Sequence, residues 1–436
     1  MENFYSPNDT RFLADTDAQS IQNAIDAAIA DGVRVVRIPK KNLRTGEDRW
    51  NICRAILLPS DITVYLDDCH LILDEGIYDN IFRNANMYTD AARKPEGCQR
   101  GIRILGTGDA VLDGGKGNDL RETNSDLDGR PNIRFNNLII FQNVCDIVLE
   151  NFQCRNMRWW GLNFVGCSGV RIRRLHFWNG QRIPNQDGID LRIGCSDFVI
   201  EEITGRTGDD VVALTALPLG SDKDYLPEGI APDIHDIVIR NIHANTQQTM
   251  VALRNCDGAK IYNVTVEDVL DTGDGYEPGA ILRVGENNYY QNRPGIMGEL
   301  YNIHVRGLTS HQGGTVTLGG ALRDCMFRDI DAGGTTMSAV STFAITCISG
   351  TTGKAVEGGV SMKNVIFDNI RYTGSAEHGD ETRFNIPGTP YPGCALDFRC
   401  LRANDVFDNV VFSNIHTADG KITAIVKEGF SLDIRK

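Results

Sequence analysis

A short strand-like phrase recurs along most of the chain, and this repeat restricts the fold more than any other feature of the sequence. Each copy alternates apolar and polar residues, which is the two-residue period of a β-strand with one buried face. No helical pattern separates the copies. We count nine copies, which occupy residues 146–152, 170–175, 198–203, 237–242, 261–269, 300–308, 322–330, 362–370 and 407–415.

A unit of strands and turns cannot bury its apolar face alone, so neighbouring copies are expected to stack. The sequence therefore predicts an all-β fold, a parallel β-helix, that forms one domain over residues 1–436 with regular coils over 146–415. Residues 80–135 are polar and rich in Gly and Asn, which indicates early coils dominated by loops. The long gaps at 217–233 and 271–298 are predicted to be loops that wall a groove.

One helix is predicted before the coils, over residues 15–31. Apolar residues follow the helical period, Asp or Thr can cap the start, and Gly32 ends the pattern. A strand over 33–38 follows. We expect this helix to cover the open end of the first coil, as terminal caps do in repeat proteins.

Composition limits the partners and the location. The formal net charge of −14 argues against a nucleic-acid partner, because phosphate binding needs a surplus of Lys and Arg. No apolar run reaches the length of a membrane span, and the first residues show no signal-sequence pattern, so no membrane partner is expected. Twelve cysteines without CxxC pairs indicate reduced thiols in a cytoplasmic protein. The sequence does not indicate an oligomeric state.

Residues that recur where no chemistry could be repeated are interpreted as structural. Cys167, Cys195 and Cys256 share a repeat position and are expected to be small buried residues. The asparagines that share another offset are predicted to form a ladder at a bend, hydrogen-bonded from coil to coil. No histidine has metal-ligand spacing, and we predict no metal and no cofactor. The recurring asparagines are Asn151, Asn241, Asn369 and Asn414. Three histidines also recur at one repeat position and are interpreted as structural: His243, His304 and His416.

Two phrases place carboxylates directly before β-type apolar runs. They read PNQDGIDL at residues 184–191 and GDDVVAL at 208–214, and pairing Asp187 with Asp210 makes them 23 residues apart. That register stacks apolar residues on apolar ones, whereas pairing Asp187 with Asp209 stacks Asp190 on an apolar residue. Because neighbouring strands lie about 4.8 Å apart, three aspartates would share one patch of wall.

Carboxylates that share a site repel one another, so one of them is expected to keep a proton near neutral pH. A protonated and an ionised carboxyl side by side are what glycoside hydrolysis needs, since one protonates the leaving oxygen and the other activates water. The pattern therefore predicts a catalytic group made of Asp187, Asp209 and Asp210.

These motifs, with WWGLNF at 159–164 and GTGDAVLDG at 106–114, resemble the polygalacturonase-type glycoside hydrolases. That family, family 28, belongs to the pectin-degrading right-handed β-helix superfamily, and the resemblance covers roughly residues 15–290. It implies a right-handed coil and a hydrolase acting on a pectin-like oligosaccharide. It also implies that Asp187 and Asp210 hold the attacking water and that Asp209 is the acid, with inversion at the anomeric carbon. We expect exo action.

The chain departs from the family pattern at three places. Gln186 replaces the usual Thr, Thr249 stands where the family has the histidine of Gly-His-Gly, and residues 281–283 keep one cation of Arg-Ile-Lys. These departures leave open a changed substrate or a changed reaction. The residues predicted to bind the substrate are Asn185, Arg192, Thr249, Arg254, Arg283, Glu286, Trp159 and Trp160.

Two other functions stay open on the same coil. In a polysaccharide lyase or epimerase, the aspartates would hold Ca²⁺ against an acidic sugar, since hard oxygen ligands suit that ion. In a non-catalytic carbohydrate-binding β-helix, such as an adhesin or a tailspike domain, the aspartates would be turn residues.

Overall fold

The structure is a computed structural model of the whole chain. It describes residues 3–115, 137–179, 185–218, 222–273, 279–285, 293–311, 313–333, 337–342, 346–348, 355–357, 359–374, 394–418 and 422–435. The chain divides into two compact units. The first comprises Met1–Asp209 with Gly220–Ile230, and the second comprises Asp210–Leu219 with Ala231–Lys436. The single domain over residues 1–436 stays a prediction.

The predicted N-terminal helix is α1 (Asp17–Ala30). Thr16 caps it by accepting a hydrogen bond from the Gln19 N–H at 3.2 Å. Its apolar stripe, which includes Ile21 and Ile25, is fully buried against the first three strands of the chain. The helix therefore covers the first coil, as predicted.

The other elements of the first unit are short helices and fifteen strands among the described residues. The helices are two 3-10 helices (Asp90–Arg93 and Pro95–Gly97) and α2 (Asp222–Tyr225). The strands are β1 (Val35–Pro39), β2 (Trp50–Ile52), β3 (Ile56–Leu58), β4 (Ile62–Asp67), β5 (His70–Leu73), β6 (Phe82–Asn84), β7 (Gln99–Thr107), β8 (Val111–Asp113), β9 (Ile139–Gln142), β10 (Val144–Glu150), β11 (Gln153–Arg155), β12 (Leu162–Val165), β13 (Ser168–Trp178), β14 (Ile189–Arg192) and β15 (Ser196–Arg206).

These strands form two parallel sheets. Strands β3, β6, β9, β12 and β14 pair in that order in the second sheet, and the other ten strands form the first sheet. Equivalent residues stack from coil to coil in the first sheet, for example Ile147 on Val170 and Val170 on Phe198. All three are at most 1% exposed, so such ladders build the core.

The second unit repeats this arrangement. Its strands are β16 (Val212–Ala216), β17 (Ile234–Asn245), β18 (Thr249–Asn255), β19 (Ile261–Asp271), β20 (Ala280–Val284), β21 (Leu300–Thr309), β22 (Val316–Leu318), β23 (Gly320–Ala332), β24 (Val340–Thr342), β25 (Thr346–Ile348), β26 (Ala355–Glu357), β27 (Val360–Tyr372), β28 (Cys394–Phe398), β29 (Phe407–Thr417), β30 (Ile422–Val426) and β31 (Asp433–Arg435). The odd-numbered strands from β17 to β23, with β27, β29 and β31, form one parallel sheet. The even-numbered strands from β16 to β24, with β28 and β30, form the other, and β25 pairs antiparallel with β26.

The predicted fold class is confirmed: the protein is a right-handed parallel β-helix. All nine sequence repeats coincide with strands of the long-strand sheets, from β10 to β29. No helix among the described residues is long and apolar enough to cross a membrane.

The prediction of loops between the repeats was partly wrong. The gap at 271–298 contains β20, whose apolar residues pair in parallel with β18. Within 80–135, the described residues form strands β6, β7 and β8, and residues 116–136 lie outside the described residues. The alternating pattern marks the strands that face solvent on one side, so strands buried on both faces were missed between the repeats.

The recurring asparagines do lie at bends, because all four have a left-handed backbone with φ between 53° and 63°. They do not bond to one another: Asn369 donates to Asp329 at 2.7 Å, and Asn151 donates to the Gly106 carbonyl at 2.7 Å. An Asn-to-Asn contact occurs at a different bend, where Asn302 donates to Asn263 at 2.7 Å. The three recurring cysteines are fully buried, as predicted.

Candidate active site

Two of the three predicted catalytic aspartates lie together in the first unit, with Asp187 just before β14 and Asp209 just after β15. Asp187 is buried, with 5% of its surface exposed, and Asp209 is half-buried. One carboxylate oxygen of Asp187 and one of Asp209 lie within 4.8 Å of each other. A single water molecule can bridge oxygens at this separation, since each hydrogen bond spans about 2.8 Å.

Backbone hydrogen bonds hold the turns that carry the two carboxylates. The Asn185 N–H donates to Asp209 Oδ2 at 2.7 Å. The Gly208 and Asp209 N–H groups both donate to the Gln186 carbonyl, at 3.1 and 3.2 Å. Asn185 has a left-handed backbone with φ of 64°, which asparagine tolerates better than most residues. Asn185 therefore helps to hold this turn through its backbone, and its role in substrate binding stays a prediction.

Asp210 directly follows Asp209 in the chain and is the first residue of the second unit. It is 4% exposed. The predicted register pairs Asp210 with Asp187, which belongs to the other unit, so this register stays a prediction. The catalytic roles of all three aspartates also stay predictions.

The coil that contains Gly161 and β12 is hydrogen-bonded to the turn at Asp187. The Gly161 N–H donates to the Asp187 carbonyl at 2.8 Å, and the Leu162 N–H donates to the Gly188 carbonyl at 2.9 Å. A Cβ at Gly161 would lie 2.5 Å from Met157 Sδ and 2.8 Å from the Gly188 oxygen. Glycine is therefore needed for this close approach.

Three buried side chains near this turn keep polar atoms without a hydrogen-bond partner. Asn163 on β12 is fully buried, and both ends of its amide lack a partner in the described structure. The Oε1 atom of Gln186 also lacks a hydrogen-bond partner in the described structure, and so do both terminal nitrogens of Arg158. An orphaned buried polar group costs about 1–3 kcal/mol, so such groups call for a ligand or an ordered water as partner.

Arg158 is a cation that the sequence did not single out. It is 1% exposed, and its Nε donates to the Gly114 carbonyl at 2.7 Å. Burial lowers the pKa of its guanidinium to about 10, which still leaves it charged at neutral pH. Nothing in the sequence distinguishes it from a surface arginine, because the burial is a property of the folded turn.

The predicted aromatic residues lie in the first unit and are largely covered. Trp159 and Trp160 are each 9% exposed, and their ring centroids are 5.7 Å apart. The Arg192 guanidinium lies 4.5 Å from the Trp160 ring centroid. Little ring surface is left to stack on a sugar, and the substrate-binding role of these three residues stays a prediction.

The other predicted substrate-binding residues belong to the second unit. Thr249 and Arg254 are on β18, and Arg283 on β20 pairs with Ala252 of β18. Thr249 is 1% exposed, whereas the two arginines are half-buried. Glu286 lies outside the described residues. Their roles stay predictions.

The aspartate pair also has the chemistry of a cation site. Carboxylate oxygens are the hard ligands that Ca²⁺ prefers. Asp187 and Asp209 can each offer one oxygen within the 4.8 Å span. The geometry therefore suits either two carboxylates that share a proton and a water, or two that share a cation.

Comparison with solved structures relates the chain to several β-helix proteins. The exopolygalacturonase of Thermotoga maritima is 14% identical with a TM-score of 0.53, over 100% of this chain and 92% of that one. The mannuronan C-5 epimerase AlgE6 A-module of Azotobacter vinelandii is 14% identical with a TM-score of 0.50, over 99% and 98%. A tailspike protein of E. coli bacteriophage HK620, in complex with a pentasaccharide, is 14% identical with a TM-score of 0.55, over 97% and 64%.

No protein-family model matches the sequence, and no curated protein matches it. Similarity at this level of identity establishes the fold alone. The similar structures include a hydrolase, an epimerase and a tailspike, so function has to be argued from the site.

Proposed function

We propose that the protein hydrolyses a glycosidic bond in an acidic, pectin-like oligosaccharide. The observation that carries the proposal is that a carboxylate oxygen of Asp187 and one of Asp209 lie within 4.8 Å of each other. Two carboxylates at this distance cannot both be ionised without a large electrostatic penalty. The pair can therefore supply an acid and a base at the same pH.

The local contacts suit the roles that the family resemblance implies. Oδ2 of Asp209 accepts the Asn185 N–H, and this contact holds the carboxyl that we propose as the acid for the leaving oxygen. Asp187 is the more buried of the two and is held by the Gly161 turn, so it can orient the attacking water. Asp210 is the second proposed base, and inversion with exo action is part of the proposal.

The orphaned polar groups support a saccharide as the substrate. The Asn163 and Gln186 amides can exchange hydrogen bonds with hydroxyls, and the Arg158 guanidinium can bind a carboxylate. The exopolygalacturonase named above shows that this fold can carry a glycoside hydrolase. Because the net charge of the protein is −14, most of its surface repels an acidic sugar. A local cation such as Arg158 would offset this repulsion at the site.

Product analysis by NMR tests this proposal. Wild-type protein is incubated with a panel of acidic and neutral oligosaccharides of defined non-reducing ends, and the reducing-end anomeric signals are followed from the first minutes. New reducing ends with inverted anomeric configuration would support hydrolysis. An uncleaved panel would contradict it and favour a binding protein.

A Ca²⁺-dependent lyase or epimerase is the second candidate, favoured by the hard oxygen ligands that Asp187 and Asp209 offer. A lyase would form unsaturated products that absorb ultraviolet light, and an epimerase would invert a sugar carbon without chain cleavage. Removal of Ca²⁺ with a chelator would abolish either activity. Chelator-resistant formation of saturated fragments would exclude this candidate.

A further inference from the structure

A concave surface lies in the first unit, on the outer face of its first sheet. Its volume is about 730 Å³, and its lining includes Asp113, Gln153, Arg155, His176 and Trp178. We call it the Trp178 groove. These residues come from β8, β11 and β13, three neighbouring strands.

The strand register arranges the groove in rows across the coils. Arg155 pairs with Asp113 on one side and with Trp178 on the other, and Trp178 pairs with Arg206 of β15. Ile72 of β5 pairs with Asp113 and completes the row. Five strands at about 4.8 Å spacing make this row about 19 Å long. It is long enough for an extended ligand.

Trp178 differs from the other tryptophans of the chain. It is 46% exposed, whereas Trp50, Trp159 and Trp160 are at most 9% exposed. The Arg206 guanidinium lies 4.6 Å from its ring centroid, and the His176 ring is stacked nearly parallel at 6.3 Å. A large aromatic side chain held this way at a groove offers an apolar face to a ring-shaped ligand.

The charges beside Trp178 favour an anion. The Asp113 carboxylate is already engaged by His70 at 3.0 Å, by Asn156 at 2.8 Å and by the Gly115 N–H at 2.7 Å. Among the described residues, the Arg155 side chain donates only to Gln153, at 3.1 and 2.6 Å. A guanidinium has five N–H donors, so Arg155 keeps donors for a ligand.

We propose that the Trp178 groove is a binding site for an anionic saccharide, separate in its residues from the aspartate pair. Trp178 stacks on a sugar ring, and Arg155 binds the carboxylate of the same or the next sugar. This site needs no hydrolysis, so it stands or fails independently of the proposed function. Arg206 precedes Asp209 by three residues, so the groove can hold one part of a long glycan while another part lies at the aspartates.

Fluorine NMR of protein labelled with 5-fluorotryptophan tests the site directly. The chain has four tryptophans, and the Trp178 signal is identified by its loss in Trp178→Phe. The titration uses full-length Asp209→Asn protein, so that the probe is not consumed. The probe is a tetramer of galacturonic acid, and the neutral control is a glucose tetramer. The Trp178 signal reports binding in the groove whether or not the wild-type protein hydrolyses the probe.

We expect a saturable shift of the Trp178 signal with the acidic tetramer, and an affinity about tenfold weaker in Arg155→Gln. Arg171→Gln is the matched control, since Arg171 is an exposed arginine on β13, the strand of Trp178, and is paired with Asp197. This change should leave the affinity within twofold of the unsubstituted value. A Trp178 signal unmoved by both tetramers would overturn the proposal. Equal binding of the neutral tetramer, with no effect of Arg155→Gln, would overturn the anionic class of the ligand.

Discussion

The two sheets of the first unit differ in the solvent exposure of their outer faces. On β13 and β15 of the first sheet, buried residues alternate with half-buried or exposed ones, whereas every residue of β12 and β14 in the second sheet is buried. Part of that outer face is covered by Tyr225, which packs on Val165 of β12 and on Ile193 directly after β14. The outer face of the first sheet is therefore solvated, whereas the second sheet contains buried polar side chains that are available to a binding site.

The largest effect is expected from the aspartates beside the second sheet. Asp187→Asn should lower the hydrolysis rate by about 10³-fold or more, because the amide cannot serve as a base. Asp146→Asn is the matched change on the first sheet, where Asp146 is an exposed residue paired with Arg103 at 3.1 Å. Its rate should stay within twofold of wild type. Equal rates for the two variants, measured on the substrate found by NMR, would remove Asp187 from the mechanism.

Alanine substitutions in adjacent residues test the difference in burial. On β15, Phe198→Ala should destabilise the protein by about 3–5 kcal/mol, whereas the neighbouring Val199→Ala should cost less than about 0.5 kcal/mol. On β12, both Phe164→Ala and Val165→Ala should be destabilising, because these residues are at most 2% exposed. Denaturant unfolding measures all four variants. A harmless Val165→Ala would show that the outer face of the second sheet is open.

The orphaned amide of Asn163 predicts an unusual stability change. Asn163→Leu should leave stability unchanged or raise it by about 1 kcal/mol, because it removes a buried polar group that lacks a partner. Asn84→Leu on β6 should instead lower stability by about 1–3 kcal/mol, since Asn84 exchanges two hydrogen bonds with the Gln142 backbone, each at 2.9 Å. Thermal unfolding compares the two. A strong loss of stability in Asn163→Leu would mean that its amide is satisfied within the protein.

A smaller, pH-dependent effect is expected at Asp113 in the Trp178 groove. Burial raises the pKa of this carboxyl, but hydrogen bonds from His70, Asn156 and the Gly115 N–H outweigh it and lower the pKa below its ordinary value. The ionised form therefore stabilises the fold above the unfolded-state pKa of about 3.9, and this stabilisation is lost as the pH falls through the folded-state value. Asp113→Asn should cost about 1–2 kcal/mol at pH 7 and much less near pH 2. A difference independent of pH would contradict this explanation.

The sequence predicted the first sheet well and the second sheet poorly, for one physical reason. A strand with one solvated face has an alternating pattern, which is why all nine repeats were recognised. Strands such as β12 are buried on both faces and lack that pattern. At the site, the Asp187 and Asp209 motifs were recognisable, but the burial of Arg158 and the exposure of Trp178 depend on which turns cover them.

The proposed hydrolytic centre consists of the Asp187 and Asp209 carboxylates. Its most direct test is Asp209→Asn, with the hydrolysis rate and the substrate affinity both measured on the oligosaccharide that the wild-type protein cleaves. We predict a rate at least about 10³-fold lower with the affinity within about threefold of wild type, because the change removes the acid and keeps the shape of the site. A rate equal to that of the wild-type protein would contradict the claim.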